Sequence, residues 1–199
     1  MEVEPIRKMS DVKRFYNWLN ENVTPREAEC FLIGCNVALR AGDLLQLRFD
    51  QFEGKDFIDL HEQKTTKFKR IPITPVVREA VERLKVYYAS RSFYATKQFE
   101  PVYLFQSTSH RAYHLCQPIC IQWLSECLKK GADELGFDFN VNTHSMRKTW
   151  GYQAYERGED ILYIQALFNH SNQRVTLNYI GVTRSTIEQM YRDNSMDFA

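Results

Sequence analysis

Four residues near the end of the chain have side chains that could handle a phosphate group. His144 and Arg147 are three residues apart, so they share a face if they lie on a helix. His170 and Tyr179 follow further along. An arginine offers a planar fork of donors that matches phosphate oxygens, and tyrosine is among the side chains that form covalent intermediates. Together they suggest a phenol attacking a phosphate that is held by arginine.

The same residues also fit a purely structural role. Histidine and tyrosine are common in cores, and an isolated His-x-x-Arg pattern is weak, so a helical hairpin with satisfied histidines is the alternative. The segment from His61 to Arg91 favours a polyanion, because it carries eight lysines and arginines against three glutamates. A one-sided basic surface can bind nucleic acid, although several of these residues could simply solvate a helix.

Composition narrows the class of protein. The 199 residues have a net charge of +1 and a pI near 7.6, which is low for a nucleic-acid binder. A hydrophobic content of 44% is ample for a packed core. No apolar run is long enough for a membrane span, and the acidic N-terminus is not a secretory signal. Five cysteines without zinc spacing indicate reduced thiols in a cytoplasmic protein.

Capping residues and apolar spacing predict a mostly helical chain. Ser10 is expected to cap a first helix and Thr24, followed by proline, a central second helix. A short helical turn is expected between residues 39 and 47. Later helices are predicted after Thr74-Pro75, after Gln117-Pro118, from Thr143, after Ser171 as a cap, and from Arg184.

Between residues 48 and 74 the pattern changes to that of strands. Phenylalanine and branched residues flank a turn at 53–55, and a polar turn at 64–67 leads into a third strand. The expected fold class is therefore α+β, mostly helical with a small three-stranded antiparallel sheet, and Lys64 lies at the second hairpin. Residues 91–100 are expected to form a loop and 102–105 a short extended segment.

These motifs resemble those of the tyrosine recombinases, also called phage-type integrases. Ala38–Leu45 resembles the family's first arginine motif, and Lys64 precedes an Arg-Ile-Pro-Ile strand, where the family carries a lysine. Thr143–Thr149 resembles the His-x-x-Arg box, and Phe168–Ser171 resembles the leucine-glycine-histidine-serine box. Tyr179 falls at the position of the nucleophile.

The resemblance covers roughly Thr24 to Tyr191, and it implies the fold of the recombinase catalytic domain. Three features depart from the family pattern. Phe168 and Asn169 stand where leucine and glycine are usual, and Ile180-Gly181 follows the tyrosine where a second histidine is often nearby.

The resemblance also implies the chemistry, which is cleavage and rejoining of DNA. Tyr179 would attack phosphorus and form a 3′-phosphotyrosyl link, so rejoining needs no ATP. Arg40 and Arg147 would stabilise the charge that builds up on the non-bridging oxygens. These roles require no metal and no cofactor.

Three further residues complete the expected catalytic set. Lys64 would protonate the leaving 5′-hydroxyl, since a lysine with a lowered pKa can act as a general acid. His144 would accept the proton of the nucleophile, and His170 would hydrogen-bond a non-bridging oxygen. The expected DNA-binding residues are Lys67, Lys69, Arg70, Lys148 and Arg174.

The expected organisation is a single catalytic domain over residues 1–199, with a lead-in helix within 1–23 and a tail helix within 184–199. No separate DNA-clamping domain is expected, although family members usually carry one. The expected partner is double-stranded DNA. Four protomers would assemble on two DNA sites, with a monomer allowed without DNA, and the tail could dock on a neighbouring protomer or pack on its own domain.

Three other functions compete with site-specific recombination. A type IB topoisomerase-like enzyme shares the chemistry and would relax supercoiled DNA without sequence preference. A catalytically silent DNA-binding or accessory module would keep the fold and bind without cleavage. A metal-dependent hydrolase using His144 and His170 is a more distant alternative.

Overall fold

The computed structural model describes residues 3–91, 100–109, 115–182 and 190–195. In these ranges the chain forms helices and one β-hairpin, so the mostly helical α+β class is confirmed. The elements in chain order are α1 (Met9–Asn22), α2 (Pro25–Val37), α3 (Ala41–Leu45), a 3-10 turn (Phe49–Gln51), β1 (Phe57–His61), β2 (Phe68–Pro72), α4 (Pro75–Ala89), α5 (Ile121–Glu134), α6 (Thr143–Glu156), α7 (Ile161–Phe168) and α8 (Gln173–Tyr179).

The sheet is smaller than predicted. It has two antiparallel strands, not three, and Leu60 of β1 lies opposite Lys69 of β2. The expected first strand is replaced by the 3-10 turn. Phe49 and Phe52 are three residues apart and both buried, and a helical turn can bury that spacing on one side whereas a flat strand cannot.

Two helices begin where the capping pattern predicted. Thr24 accepts a hydrogen bond from the backbone N–H of Arg26, and Pro25 is the first residue of α2. Thr74 caps α4 in the same way, with Pro75 next. Proline fits this position because the N–H that it lacks has no partner in the first turn of a helix.

Two other predicted starts were wrong by one to four residues. The helix expected after Gln117-Pro118 begins at Ile121, with Cys120 as its cap. The cap of α8 is Asn172, not Ser171. The Asn172 side chain accepts a hydrogen bond of 3.0 Å from the backbone N–H of Val175, which satisfies one of the free donors at the helix start.

The main apolar core surrounds α2, which packs against α1, α4 and α6. Phe15 and Leu19 of α1 are fully buried, and the Phe15 ring lies 4.9 Å from that of Phe31 of α2. Helix α1 begins at Met9, just before the predicted cap Ser10, and no side chain caps it.

A second, smaller core holds α6, α7 and α8 together. Phe168 and Ile180 are fully buried in it and pack against Ala154. Gly151 of α6 permits this close approach. A Cβ atom there would lie 2.7 Å from both Phe168 and Ile180, so any larger side chain must push the helices apart.

Several predicted features are only partly described. The segment at 102–105 makes a single antiparallel bridge between Tyr103 and Arg48. Most of the loop expected at 91–100 and most of the tail helix expected at 184–199 lie outside the described residues, although 190–193 are helical. Where the structure describes the chain, no helix is both long and apolar enough for a membrane span.

Candidate active site

Arg147 of α6 lies at the centre of the site. Only 2% of the residue is exposed, and its guanidinium donates to the carbonyl of Ala38 and, at 3.1 Å, to that of Phe168. It also stacks on the Phe168 ring at 4.5 Å. These carbonyls lie at the C-terminal ends of α2 and α7, where Ala38 and Asn169 have left-handed φ values of 53° and 56°. Two helix ends therefore fix one arginine.

Arg40 approaches the same point from the start of α3. Its Nη1 atom lies 2.9 Å from Oε1 of Glu62, and Nη1 of Arg147 lies 4.0 Å from the same oxygen. The position of α3 is fixed by Asp43, whose Oδ1 accepts a 2.9 Å hydrogen bond from the backbone N–H of Gln63. Two guanidiniums therefore converge on one buried carboxylate.

The hairpin places Lys69, rather than Lys64, in contact with this cluster. Lys69 Nζ lies 3.3 Å from Glu62 Oε1, and only 13% of the side chain is exposed. Burial and the charge of Arg147 lower the pKa of Lys69, while the charge of Glu62 opposes the change. Lys64 lies exposed in the turn between the strands. Lys69 is therefore a second candidate for the proton donor.

Both predicted histidines lie at the site with lowered pKa values. His144 lies in the first turn of α6 with much of the residue exposed and its ring partly buried. This partial burial, followed by nearby cations that include Lys64, lowers its pKa. Nδ1 of His170 lies 3.1 Å from the Thr176 hydroxyl. Its pKa is lowered by burial and then by Arg147. Neutral imidazoles at pH 7 can accept protons.

Tyr179 ends α8, and its ring and the Arg147 guanidinium both pack on the ring of Phe168. The Tyr179 ring packs edge-on against His170 at 5.0 Å and Phe168 at 5.5 Å. Burial raises the pKa of its hydroxyl, whereas the charges of Arg147 and Arg40 and a hydrogen bond with Arg147 lower it. The phenol is thus next to the guanidinium that could hold a phosphate.

Three of the predicted DNA-binding residues are exposed. Lys67 donates to the side-chain oxygen of Asn169 at 3.1 Å. Arg70 pairs across the hairpin with Asp59 at 3.0 Å on the solvent side. Arg174 is exposed in the first turn of α8. These cations can reach a ligand without unfolding the core.

The other two predicted DNA-binding residues are more deeply placed. Lys69 belongs to the cluster around Glu62. Lys148 is only 7% exposed, and its Nζ donates to the carbonyl of Val3 at 2.7 Å and lies 5.0 Å from the centre of the Tyr179 ring. Lys148 therefore attaches the N-terminal segment to α6 and packs against the phenol, and its contact with DNA stays a prediction.

Glu62 and Asn169 contribute to the site, and neither is among the predicted site residues. The Glu62 carboxylate accepts from the Asn169 side-chain amide at 3.0 Å. Alternation gives a signal for Glu62, because Ile58, Leu60 and Glu62 share the inner face of one strand and its extension. A charged residue continuing an apolar face indicates a partner charge inside.

The sequence matches the model of the phage integrase family over residues 8–185. The chain belongs to that family. It is 32% identical over 193 residues to the probable integrase/recombinase YoeC of Bacillus subtilis (strain 168), with 96% of each chain covered. It is 26% identical over 166 residues to the tyrosine recombinase XerA of Pyrococcus horikoshii, covering 82% of this chain and 53% of that one.

Solved structures share the fold. The XerA recombinase matches with a TM-score of 0.69 at 16% identity, covering 100% of this chain and 66% of that one. The XerH site-specific recombinase in a post-cleavage complex on palindromic difH matches with a TM-score of 0.69 at 12% identity, covering 92% and 51%. A lambda integrase(75-356) dimer on a COC′ core site gives 0.65 at 15% identity, covering 100% and 64%.

These results confirm the predicted family, enzyme class and fold. The integrase-family chain spans between about half and two thirds of the solved chains that it matches. It spans 53% of XerA but nearly all of YoeC.

Proposed function

We propose that this chain is a site-specific DNA recombinase that cuts and rejoins DNA through a 3′-phosphotyrosyl intermediate. The observation that carries the proposal is the position of Tyr179, whose ring packs at 5.5 Å on the same Phe168 ring that the Arg147 guanidinium covers at 4.5 Å, within one chain. A phosphodiester bound by the two guanidiniums would lie within reach of that phenol.

In the proposed reaction a bond forms between Tyr179 Oη and phosphorus while the bond from phosphorus to the 5′-oxygen breaks. The phenolic proton passes to a base, and a proton is delivered to the leaving 5′-oxygen. Arg40 and Arg147 offset the charge that develops on the non-bridging oxygens. Attack by a 5′-hydroxyl on the adduct reverses the steps, so neither ATP nor a metal is required.

His144 is proposed to accept the phenolic proton, because its lowered pKa leaves it neutral at pH 7. His170 packs against the Tyr179 ring and is proposed to donate to a non-bridging oxygen. The proton for the leaving group is proposed to come from Lys64, the exposed residue of the turn, with Lys69 as the alternative.

The two lysines can be separated with a substrate whose leaving oxygen is replaced by sulfur, because a thiolate leaves without a proton. The general acid is the lysine whose alanine variant loses cleavage of ordinary DNA but regains it on the sulfur substrate. The other lysine is expected to show equal loss, or none, on both substrates. Full activity of Lys64→Ala on ordinary DNA would reassign the role.

The proposed partner is double-stranded DNA, contacted mainly through its phosphates and hence with strong salt dependence. Lys67, Arg70 and Arg174 are the proposed contacts, because they are exposed. We also propose that residues 1–199 hold the complete catalytic set, acting on DNA in the cytoplasm. Four copies would meet on two DNA sites, and the tail at 184–199 would contact a neighbouring copy.

The test is trapping on a DNA substrate nicked next to the scissile phosphate, so that the short leaving strand diffuses away. The wild-type chain should form a covalent adduct that survives denaturation and forms in EDTA. Tyr179→Phe should abolish it. Tyr163→Phe is the matched control, because Tyr163 is 74% exposed on α7.

An adduct formed by Tyr179→Phe would refute the nucleophile assignment. Tight, salt-sensitive binding with no adduct from the wild-type chain on its own recombination site would favour the silent DNA-binding module. Relaxation of plasmids that lack such a site would favour a topoisomerase.

A further inference from the structure

The carboxylate of Glu62 lies beneath the cations of the site. Its side chain is 0% exposed. One oxygen, Oε1, faces Arg40 at 2.9 Å and Lys69 at 3.3 Å. The other, Oε2, accepts from the Thr65 hydroxyl at 2.6 Å and from the Asn169 amide at 3.0 Å. Every one of these partners is a donor, so the carboxylate is held on both sides.

The negative charge of Glu62 does not strengthen DNA binding. A carboxylate repels the phosphate that the arginines would hold, so it weakens binding by its charge alone. Burial would raise the pKa of Glu62, but the hydrogen bond from Thr65 and the charges of Lys69 and Arg40 lower it to about 2. Glu62 is therefore ionised at all physiological pH values.

The exposures show on which side the phosphate would bind. The side chains of Arg40 and Lys69 are 24% and 13% exposed, so both reach solvent, while Glu62 does not. The carboxylate therefore contacts the two cations from the protein side and leaves their outer donors for a ligand. Without it, Arg40, Lys69 and Arg147 repel one another at short range, and the two more exposed side chains can turn outward.

Asn169 connects this carboxylate to the loop that carries His170. Its backbone has a left-handed φ of 56°, a conformation in which glycine is unstrained and asparagine is tolerated. Its side chain adds two contacts across to the hairpin that glycine lacks, an amide to Glu62 at 3.0 Å and an oxygen to Lys67 at 3.1 Å. The hairpin and the His170 loop are thereby tied together.

We propose that Glu62 is the positioning residue of the site and that Asn169 holds it in place. Glu62 orients Arg40 and Lys69 for the phosphate in the transition state, at some cost in DNA affinity. This role rests on the proposed function, since it concerns the rate of adduct formation. Neither residue touches the DNA.

The test compares the variants Glu62→Gln, Asn169→Gly and the double variant on the nicked substrate. Glutamine keeps the shape, and its oxygen can still accept from Thr65 and Asn169, while its NH₂ group replaces the anion. Glycine keeps the left-handed backbone without strain. Glu82→Gln is the matched control, because Glu82 forms an exposed pair with Lys85 on α4. The measurements are DNA affinity, the adduct rate at saturating DNA, and the thermal midpoint.

Glu62→Gln should slow adduct formation at saturating DNA by about 10- to 100-fold, with DNA affinity unchanged or tighter. Asn169→Gly should give a smaller loss of rate. The double variant should be no slower than Glu62→Gln, because both changes break one network. Glu82→Gln should match the wild-type chain in affinity and rate.

A rate for Glu62→Gln within about twofold of wild type would overturn the proposal, as would weaker DNA binding or additive losses in the double variant. A rate that falls only in step with the folded fraction would also overturn it, since that marks a structural role alone. Absence of a wild-type adduct defeats the proposed function and this role together. A normal wild-type adduct with a normal Glu62→Gln rate defeats this role alone.

Discussion

Replacing Gly151 with alanine should loosen the junction that positions Tyr179, the proposed nucleophile. The new Cβ would lie 2.7 Å from Ile180 Cγ2 and from two carbons of the Phe168 ring. Carbon atoms at van der Waals contact are about 3.5–4.0 Å apart, so roughly 1 Å must be made up by movement. The two neighbours are fully buried and have little room to move.

Two opposing effects set the size of the change. Alanine in a helix interior is favoured over glycine by about 0.8–1 kcal/mol. Inserting a methyl group into a packed core costs about 1–3 kcal/mol. The net loss of stability is therefore about 0–2 kcal/mol, and about 1 kcal/mol at the centre of that range. For a chain of this size a loss of about 1 kcal/mol lowers the melting temperature by about 2–4 °C.

The effect on function should be larger than the effect on stability. Phe168 supplies a carbonyl and a ring to Arg147, and Ile180 directly follows Tyr179. A misplacement of about 1 Å at reacting groups can cost about 10² in rate, so adduct formation should fall by about tenfold or more while most of the protein remains folded.

Gly34→Ala in α2 is the matched control. Its Cβ would meet the Met146 sulfur at 2.6 Å, Leu44 Cδ2 at 3.0 Å and Met146 Cβ at 3.2 Å, and a flexible methionine side chain adapts more readily than a buried ring. Differential scanning calorimetry and the adduct assay should therefore show a smaller loss than for Gly151→Ala. A Gly151→Ala chain that is more stable by about 1 kcal/mol and cleaves at the wild-type rate would refute the packing argument, because helix propensity alone would then explain the change.

Three further outcomes are expected. When the pH is lowered, adduct formation should persist to below about pH 6.5, the usual pKa of histidine, because the lowered pKa of His144 keeps it neutral there. A rate that already drops during acidification while the pH is still above about 6.5 would contradict this. Arg147→Lys should lower the adduct rate by about 10²- to 10³-fold, since lysine cannot replace the planar fork that spans two carbonyls; a near-normal single-turnover rate would contradict it. Arg174→Ala should weaken DNA binding and reduce the slope of log affinity against log salt concentration by about 1, with its thermal midpoint unchanged. In titrations at several salt concentrations, an unaltered slope would show that Arg174 makes no phosphate contact.

Local chemistry explains which elements could be predicted. The Thr-Pro pairs that start α2 and α4 act within one turn of helix, and the sequence shows them directly. His144 and Arg147 required only that their segment be helical, as α6 is. The first of the three predicted strands was wrong because phenylalanine suits both a strand and a buried helical turn, and only packing decides between them.

The sequence motif alone does not decide whether Lys64 or Lys69 of the hairpin lies at the site. Strand alternation places Lys69 and Ile71 on one face of β2, and Ile71 is buried. That pattern could have indicated an inward Lys69. Glu62, which pairs with Lys69, lies seven residues away in the same hairpin, whereas the carbonyl that holds Lys148 belongs to Val3, 145 residues away. Only the folded structure brings Val3 and Lys148 together, so spacing along the sequence gave no sign of that contact.

One copy of the chain supplies the Tyr179 phenol and both guanidiniums to its own site. A variant that lacks Tyr179 and a variant that lacks Arg147 would therefore each have an incomplete site. When the two are mixed, neither can lend the other its missing group, so no complementation of strand cleavage is expected. In the proposed assembly each copy would therefore cut its own strand, and a single defective copy would leave one strand uncut.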